Sequence, residues 1–528
     1  MSTTVTSGFY RIAQERPDRI AIVDPDGSPL TFGQLARRVN QVSRALRSRG
    51  LVAGDVVAGL VRNGREHLEL VLATGQIGLY YVPVNWHLSP AEVGYILRDS
   101  GAALVVAAAE QARELSAAVL ADTALSDTAL LDTALPPHRL VVGGAVAGWE
   151  PYAEFGRDEP GDEPDDRRCG LVMGYTSGTT GHPKGVRAPL PDAAPESVIG
   201  RFTEFAEAYG AGPDGVHLVC SPLYHAAPSG HALAFLHAGH TVVIQQKFDP
   251  EAVLRDIERY RVTTSHLVPT HFHRLLQLPE HIRGRYDLSS LQALIHAGAP
   301  CPVPIKQQML DWVGPVVWEY LASTEGYVTR VSPQEWIDRP GTVGRPLPGL
   351  TVQILGPDGR ERPGGEPGMI YFGYPGHTPA FEYHHDPEKT SAARLGDLIT
   401  AGDFGYLDAD GYLFLLDRRT DLIISGGVNI YPAEIEQHLI THPSVDDVAV
   451  IGVPDHEWGH SVLAVVQPSA GTAADADLAD RLLAYCGEGL APFKRPRRIE
   501  FVSDFPRTEA GKVQRRVLRD RFAPASAD

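Results

Sequence analysis

The sequence predicts an α/β fold, on three observations. Between residues 31 and 106, apolar runs of strand length alternate with amphipathic helical stretches, the pattern of a mainly parallel sheet covered by helices. Leu171-Val172-Met173 reads as a strand running into a loop rich in glycine and threonine, and α/β proteins bind ligands at such strand ends. From Gly341 to Gly373, short apolar runs separated by Pro-Gly and Asp-Gly turns predict a small β subdomain.

The elements follow in order. From Thr31 to Arg47, Leu35, Ala36, Val39, Val42 and Leu46 recur at helical spacing, with Arg37, Arg38, Asn40 and Arg44 between them. Val56–Val61 is a buried strand, followed by a helix through Leu68, Leu70, Val71 and Ala73 and a strand from Tyr80 to Val84. Ser89 can cap the next helix, with Pro90 in its first turn, Glu92 reaching back and Leu88 stapled to Val93. Ala103–Val106 is the next strand. The unit Asp-Thr-Ala-Leu begins at 122, 127 and 132, and its five-residue period matches neither helix nor strand, so it reads as a surface insertion. The acidic stretch Arg157 to Arg168 reads as an exposed connector. Further on, Val216–Val219 is a strand, Asp249 caps a helix, and His266 to Thr270 reads as a second strand. Tyr431-Pro432 opens a helix, and Val448–Val453 is a strand of a terminal α+β region.

At 528 residues the chain is long enough for roughly three or four domain-sized units. A net charge of −18 argues against a nucleic-acid partner or an anionic-membrane surface, because phosphate binding needs clustered Lys and Arg. Cys169, Cys220, Cys301 and Cys486 are scattered without a CxxC pair and read as reduced, buried thiols. No basic leader opens the chain, and no run approaches the roughly 18 apolar residues of a membrane helix, so the default is a soluble, cytoplasmic protein without membrane insertion. A homodimer is left open.

The loop Tyr175-Thr176-Ser177-Gly178-Thr179-Thr180-Gly181-His182-Pro183-Lys184-Gly185 carries the strongest chemistry. Its glycines allow close backbone approach, while its hydroxyls and lysine supply donors, which suits a polyphosphate. It is not the P-loop of nucleoside triphosphatases, because Pro183 precedes Lys184 where that motif needs glycine. It resembles the phosphate-binding signature of the adenylate-forming superfamily, the acyl-CoA and aryl-CoA synthetases and their AMP-forming relatives. Further motifs agree in order along nearly the whole chain.

The resemblance implies a large N-terminal region, residues 1–417, of two α/β subdomains and a small β subdomain. A hinge at 418–420 and a small, mobile α+β domain at 421–528 follow. It implies ATP, Mg2+ and coenzyme A, with Thr176, Ser177, Gly178, Thr179, Thr180 and Gly181 around phosphate and Thr179 and Glu325 near the metal. Gly298, Ala299 and Pro300 would back adenine, and Glu319 falls where its amino group is read. Tyr320, Leu321, Ala322 and Ser323 continue that wall to Thr324, which would donate to the α-phosphate. Asp403 would accept both ribose hydroxyls, and Arg418 would reach ribose or phosphate. His225 would gate an acyl pocket bordered by Thr270, His271 and Gly298. Gly426 and Gly427 would border the pantetheine tunnel, and Thr420 would be the hinge.

Three departures stand out: Leu321 and Ala322 replace an aromatic and a glycine, Thr420 replaces Asp or Lys, and Val428 replaces a frequent glutamate. His456-Glu457-Trp458-Gly459-His460 spells HExxH, but Pro454-Asp455 before it and Gly459 within it read as a turn after a strand, not a zinc helix.

The resemblance implies two half-reactions: a carboxylate attacks the α-phosphorus of ATP, then coenzyme A displaces AMP. Both reactants of the first step are anions, so Lys184, Lys512 and the metal at Glu325 would neutralise the developing charge. Lys512, in Pro506-Arg507-Thr508-Glu509-Ala510-Gly511-Lys512, would be the mobile domain's contribution. A small, aromatic or polar-substituted carboxylic acid fits the pocket histidines. A carrier-protein thiol as acceptor, nitrite activation for diazotising an aryl amine, and a non-enzymatic nucleotide sensor are the competing readings.

Overall fold

The computed structural model describes residues 8–124, 135–176, 183–376, 381–418, 421–425, 428–455, 459–507 and 513–522. The chain forms two compact units: residues 1–267, 278–294 and 380–392, and residues 268–277, 295–379 and 393–528.

The first unit contains a six-stranded parallel sheet in the order Glu150–Pro151, His138–Val142, Ala102–Ala108, Val56–Leu60, Tyr80–Pro83, Leu171–Val172. Its strands read as near-continuous apolar runs because both faces are covered. Val57, Tyr81, Leu104 and Val106 face one buried cluster with the helices Phe32–Ser48 and Arg65–Gly75. Val56, Ala58, Val82 and Val105 face another with the helix Pro90–Asp99. Ile22, Val219, Val242 and Ile244 belong to the first cluster and come from a second sheet, ordered Pro29–Thr31, Ile20–Val23, Thr241–Ile244, Val216–Val219, Thr264–Leu267. Helices therefore lie between two sheets, as the alternation of strand and helix predicts.

The predicted helix starts are present. Ser89 accepts from Glu92 N while the Glu92 side chain accepts from Ser89 N at 2.9 Å; Thr31 and Gln34 form the same box at a start the periodicity located without its cap. Asp249 accepts from Ala252 N at 2.7 Å. The segment around residue 268 differs from expectation. The strand ends at Leu267, and Pro269–Leu276 is a helix with Pro269 in its first turn, burying Phe272 and Leu275 on one face. Thr270 and His271 are thus helical, because a proline at that position suits a helix start and the apolar spacing of three continues it.

The acidic connector is also more ordered than its composition suggests. One face of the helix Phe32–Ser48 binds its backbone carbonyls in series. Arg38 donates to Tyr152 and Phe155, Asn40 to Gly161, Gln41 to Arg157 and Glu159, Arg44 to Glu163, and Arg47 to Asp165 and Asp166. The helix Ala109–Ala124 takes in the start of the first Asp-Thr-Ala-Leu unit; residues 125–134, with most of the repeat, lie outside the described residues.

The second unit is built on an antiparallel sheet in the order Val317–Ser323, Gly326–Val331, Thr342–Pro346, Leu413–Arg418, Asp403–Leu407, Gly368–Gly373, Leu398–Ile399, Arg394–Leu395, with Thr351–Leu355 also on Gly368–Gly373. This contains the expected β subdomain. Further along, Val445–Asp455 pairs antiparallel with Gly459–Pro468, which pairs parallel with Arg498–Phe501. Residues of the helices Pro432–Leu439 and Ala476–Gly489 join one buried cluster against this sheet, and Leu518 of Arg515–Phe522 joins the other. That is the α+β arrangement. Asp455 and Gly459 are antiparallel partners; His456, Glu457 and Trp458 lie outside the described residues. Among the described residues no group of His, Cys, Asp or Glu is arranged to hold a metal, and no helix is long and apolar enough to cross a membrane.

Candidate active site

In the first unit, Leu171–Val172 at the sheet edge leads into a hairpin of Gly174–Thr176 and Lys184–Arg187. Lys184 is opposite Thr176 and Gly185 opposite Tyr175, so the two flanks of the glycine-rich loop are held in register. Ser177, Gly178, Thr179, Thr180 and Gly181 lie outside the described residues. The Tyr175 hydroxyl donates to Asp99 at 2.7 Å, fixing the hairpin to the helix Pro90–Asp99. Burial, with Asp99 beside it, pushes the Tyr175 phenol far above its ordinary value, so it stays a donor.

Lys184 does not stand open. Its ammonium is bound to Asp386, about a quarter exposed like its partner, in a short ion pair. Asp386 is held below the usual carboxylate range by Lys184 first, then by the Lys389 backbone. Asp386 also accepts from Lys389 N at 3.0 Å, at the start of the helix Pro387–Ala392. No local signal in the sequence links residues 184 and 386.

His225 sits at the N-cap of the helix Ala226–His237, its ring 4.4 Å from that of Tyr224. The turn before it is clamped by a buried residue the sequence reading passed over: Asn63 donates to Ser221 O and Gln245 O, both at 3.0 Å, and accepts from Leu223 N at 2.8 Å. Pro222 and His225 are thereby fixed to the strand ends rather than left on a loose loop.

In the second unit, Leu321, Ala322, Ser323 and Asp403 line one narrow recess with Val328, Ile370, Phe372 and Ala401. Four residues singled out by the resemblance thus meet. Asp403 is directly opposite Arg418 across the antiparallel pair Asp403–Leu407 and Leu413–Arg418. Ser323 Oγ is buried with no hydrogen-bond partner, which is costly unless a ligand or water satisfies it. A water or a ligand hydroxyl at this wall would satisfy it. Thr324 and Glu325 form the turn joining Val317–Ser323 to Gly326–Val331, with Thr324 exposed and Glu325 half-buried. A carboxylate on such a turn, beside a hydroxyl donor, is a chemically suitable oxygen ligand for Mg2+.

The remaining residues behave unequally. Gly298 has φ of +89°, so the turn Gly298-Ala299-Pro300 requires a residue without a Cβ there. Tyr320 is buried and stacks on Tyr327 at 4.7 Å, acting as a support of the wall rather than its face. His271 is buried, and burial pushes its imidazole down to about 3, so it is neutral. Glu319 turns one oxygen inward: its Oε2 accepts from Lys306 Nζ at 2.7 Å, and His296 Nε2 is 3.5 Å from the same oxygen. Lys306 was absent from the sequence reading, yet it shares a helical face with the buried Met309 and Leu310, a lysine inside an apolar stripe.

Arg507 and Val513 form an antiparallel bridge, and Gln514 N donates to Pro506 O at 2.7 Å, closing the base of the terminal lysine loop. Arg507 is also ion-paired to Asp447. Lys512 itself, Thr420, Gly426 and Gly427 lie outside the described residues.

Residues 9–381 match the AMP-binding enzyme family, and 434–512 match the AMP-binding enzyme C-terminal domain. A feruloyl-CoA synthase from Amycolatopsis sp is 35% identical over 510 residues, covering 94% of each chain. Among solved structures, the amide bond synthetase McbA from Marinactinospora thermotolerans superposes with a TM-score of 0.80 at 28% identity, covering 98% of this chain and 99% of the other. The anthranilate CoA ligase AuaEII, in complex with anthranoyl-AMP, gives a TM-score of 0.83 at 27% identity, covering 97% and 96%. With family matches across most of its length and a relative 35% identical over 510 residues, the chain belongs to the AMP-binding enzyme family.

Proposed function

We propose that this protein is an AMP-forming acid–CoA ligase acting on a small aromatic carboxylic acid. ATP and the acid give an acyl-adenylate and pyrophosphate, and coenzyme A then displaces AMP to give the thioester. The observation that carries the reading is the recess where Ser323 Oγ is buried without a partner beside Leu321, Ala322 and Asp403. Asp403 can accept two ribose hydroxyls, and Leu321 and Ala322 offer an aliphatic surface to a base.

The first half-reaction brings two anions together, and the chain supplies charge against that repulsion. Lys184, held at the end of its hairpin strand and paired to Asp386, would turn to phosphate on release from that carboxylate, and the threonine-rich loop would add hydroxyl and backbone donors. Thr324 donates to the α-phosphate. Glu325 and Thr179 would hold Mg2+, which would supply Lewis-acid stabilisation of phosphate charge. Lys512 bridges the attacking carboxylate and the α-phosphate, and the C-terminal domain, from about residue 421, carries it in and out about Thr420. Gly426 and Gly427 border the thiol's path in the second half-reaction.

On the acid side, the family resemblance assigns His225, Thr270, His271 and Gly298. A neutral, buried His271 presents a polar ring rather than an aliphatic wall, which favours a substrate with a polar or aromatic group over a long alkyl chain. The test is product analysis with ATP, Mg2+ and a panel of hydroxycinnamic, benzoic and alkanoic acids, with and without coenzyme A. AMP, pyrophosphate and an aryl-CoA are expected. ADP instead of AMP, or no AMP with any acid, overturns the reading. AMP formation driven by an amine and indifferent to coenzyme A would assign the second step to amide synthesis.

A further inference from the structure

One buried group in the second unit has no part in the chemistry above. Lys306, on the helix Val303–Val313, is fully buried, its Nζ 2.7 Å from Glu319 Oε2 and 4.8 Å from the centre of the Trp336 ring. His296 completes the cluster, with Nε2 3.5 Å from Glu319 Oε2 and its ring edge-on to Phe272 at 5.0 Å. A buried ion pair of this kind is a poor device for stability, because desolvation offsets most of the attraction and an apolar pair of the same volume serves as well. Its place in the fold points to another use. Glu319 lies on the strand Val317–Ser323, whose last three residues line the recess, and His296 ends the strand Ala293–His296 just before the Gly298 turn.

Only one oxygen of Glu319 is used by this cluster. Among the described residues, hydrogen bonding at the carboxylate is confined to Oε2, which leaves Oε1 to accept from a ligand. Four residues along the same strand, about 13 Å at the rise of an extended chain, Ser323 Oγ is a buried polar atom without a hydrogen-bond partner. That separation is comparable with the length of a nucleoside monophosphate.

We propose that Lys306 is a positioning residue for base selection: by occupying Oε2 it keeps Glu319 ionised and Oε1 a pure acceptor, so that the pocket takes a purine with an amino donor and rejects one with a carbonyl at that position. This rests on the reading of Glu319 as the group facing the base's amino group. Without Lys306 the buried carboxyl takes a proton and becomes able to donate to a carbonyl. Burial already pushes Glu319 up and Lys306 down, each opposed by its partner. The other titratable groups facing the pair are His296, kept neutral far below its ordinary value by burial and then by Lys306, and Cys301, pushed up by burial and then by Glu319.

The test is equilibrium binding of ATP and inosine triphosphate to the full chain by titration calorimetry, for wild type, Lys306→Met and the uncharged double variant Lys306→Met with Glu319→Gln. Wild type should prefer ATP. In Lys306→Met the preference should fall by about tenfold or more, the worth of one hydrogen bond to a charged group, and should recover as pH rises and Glu319 ionises. The double variant, whose amide donates or accepts, should lose the preference at every pH while restoring thermal stability. A ratio unchanged in whichever variants fold, with both nucleotides weakened equally, would show that Lys306 only supports the fold and would overturn the proposal. Wild type that binds and discriminates nucleotides but forms no AMP with any acid would defeat the functional reading and leave the role of Lys306 standing.

Discussion

Lys184 illustrates how much a single side chain owes to a distant one. Its ammonium is engaged by Asp386, 202 positions along the chain, so the phosphate contact proposed for Lys184 would have to displace a carboxylate. The pair is about a quarter exposed and open to solvent screening, so its net worth is small. Asp386→Asn should therefore leave the melting temperature nearly unchanged and lower the KM for ATP about twofold, measured by pyrophosphate release at saturating acid. A rise in KM would mean that Asp386 orients Lys184 for phosphate instead of competing for it. Lys306 makes the same point from the interior. A lysine in an apolar helical stripe is visible in sequence, but its partner Glu319 is identified only by the packing of helix on strand.

At the level of elements, the helix Phe32–Ser48 does two jobs. Leu35, Val39, Val42 and Leu46 fill the cluster between the sheets, and the opposite edge binds the carbonyls of residues 152–166. A proline-bearing acidic stretch has few backbone partners of its own, so side-chain donors take their place. Arg38 is the most committed of these: besides two carbonyls it lies 3.6 Å from the buried Glu69 and over the Tyr152 ring. Arg38→Met should cost about 3 kcal/mol, since it strands a buried carboxylate, and should speed proteolysis within 151–168 while leaving kcat unchanged. Denaturant unfolding and limited proteolysis measure both. Unaltered cleavage of that stretch would mean the carbonyl contacts do not hold it.

For the whole molecule, a dense set of buried histidines weakens the fold in acid, opposed in part by Glu66, whose carboxyl is pushed up to about 7 by burial. Burial pushes His67 and His271 down to about 3, and His231, His237 and His240 down to about 4. These rings are neutral when folded, but in the unfolded chain they take up protons near pH 6.5. Below that pH the unfolded state binds more protons, so stability is intact above about 6.5 and falls toward 4, by up to about 1.4 kcal/mol per pH unit for each ring. Scanning calorimetry from pH 8 to 5 should show a flat melting temperature above 6.5 and a steep decline below it. Equal melting temperatures at pH 7 and 5 would contradict the burial of these rings as neutral groups.

What the sequence determined by itself is local or periodic. The alternating strands and helices, the capped starts at Ser89 and Asp249, the Gly298 turn and the order of the family motifs all depend on neighbours a few residues apart, and all are legible in a string of residues. The helix beginning at Pro269, misread as strand, failed because a short apolar run satisfies either period and the proline decides only in context. Only the tertiary structure decided the rest: that Lys184 meets Asp386, that Glu319 turns one oxygen to Lys306, that Asn63 clamps the turn before His225, and that Ser323 is left unsatisfied beside Asp403. Those facts concern which polar groups are buried together, and burial is a property of the packed chain, set by contacts between residues that nothing in their spacing relates.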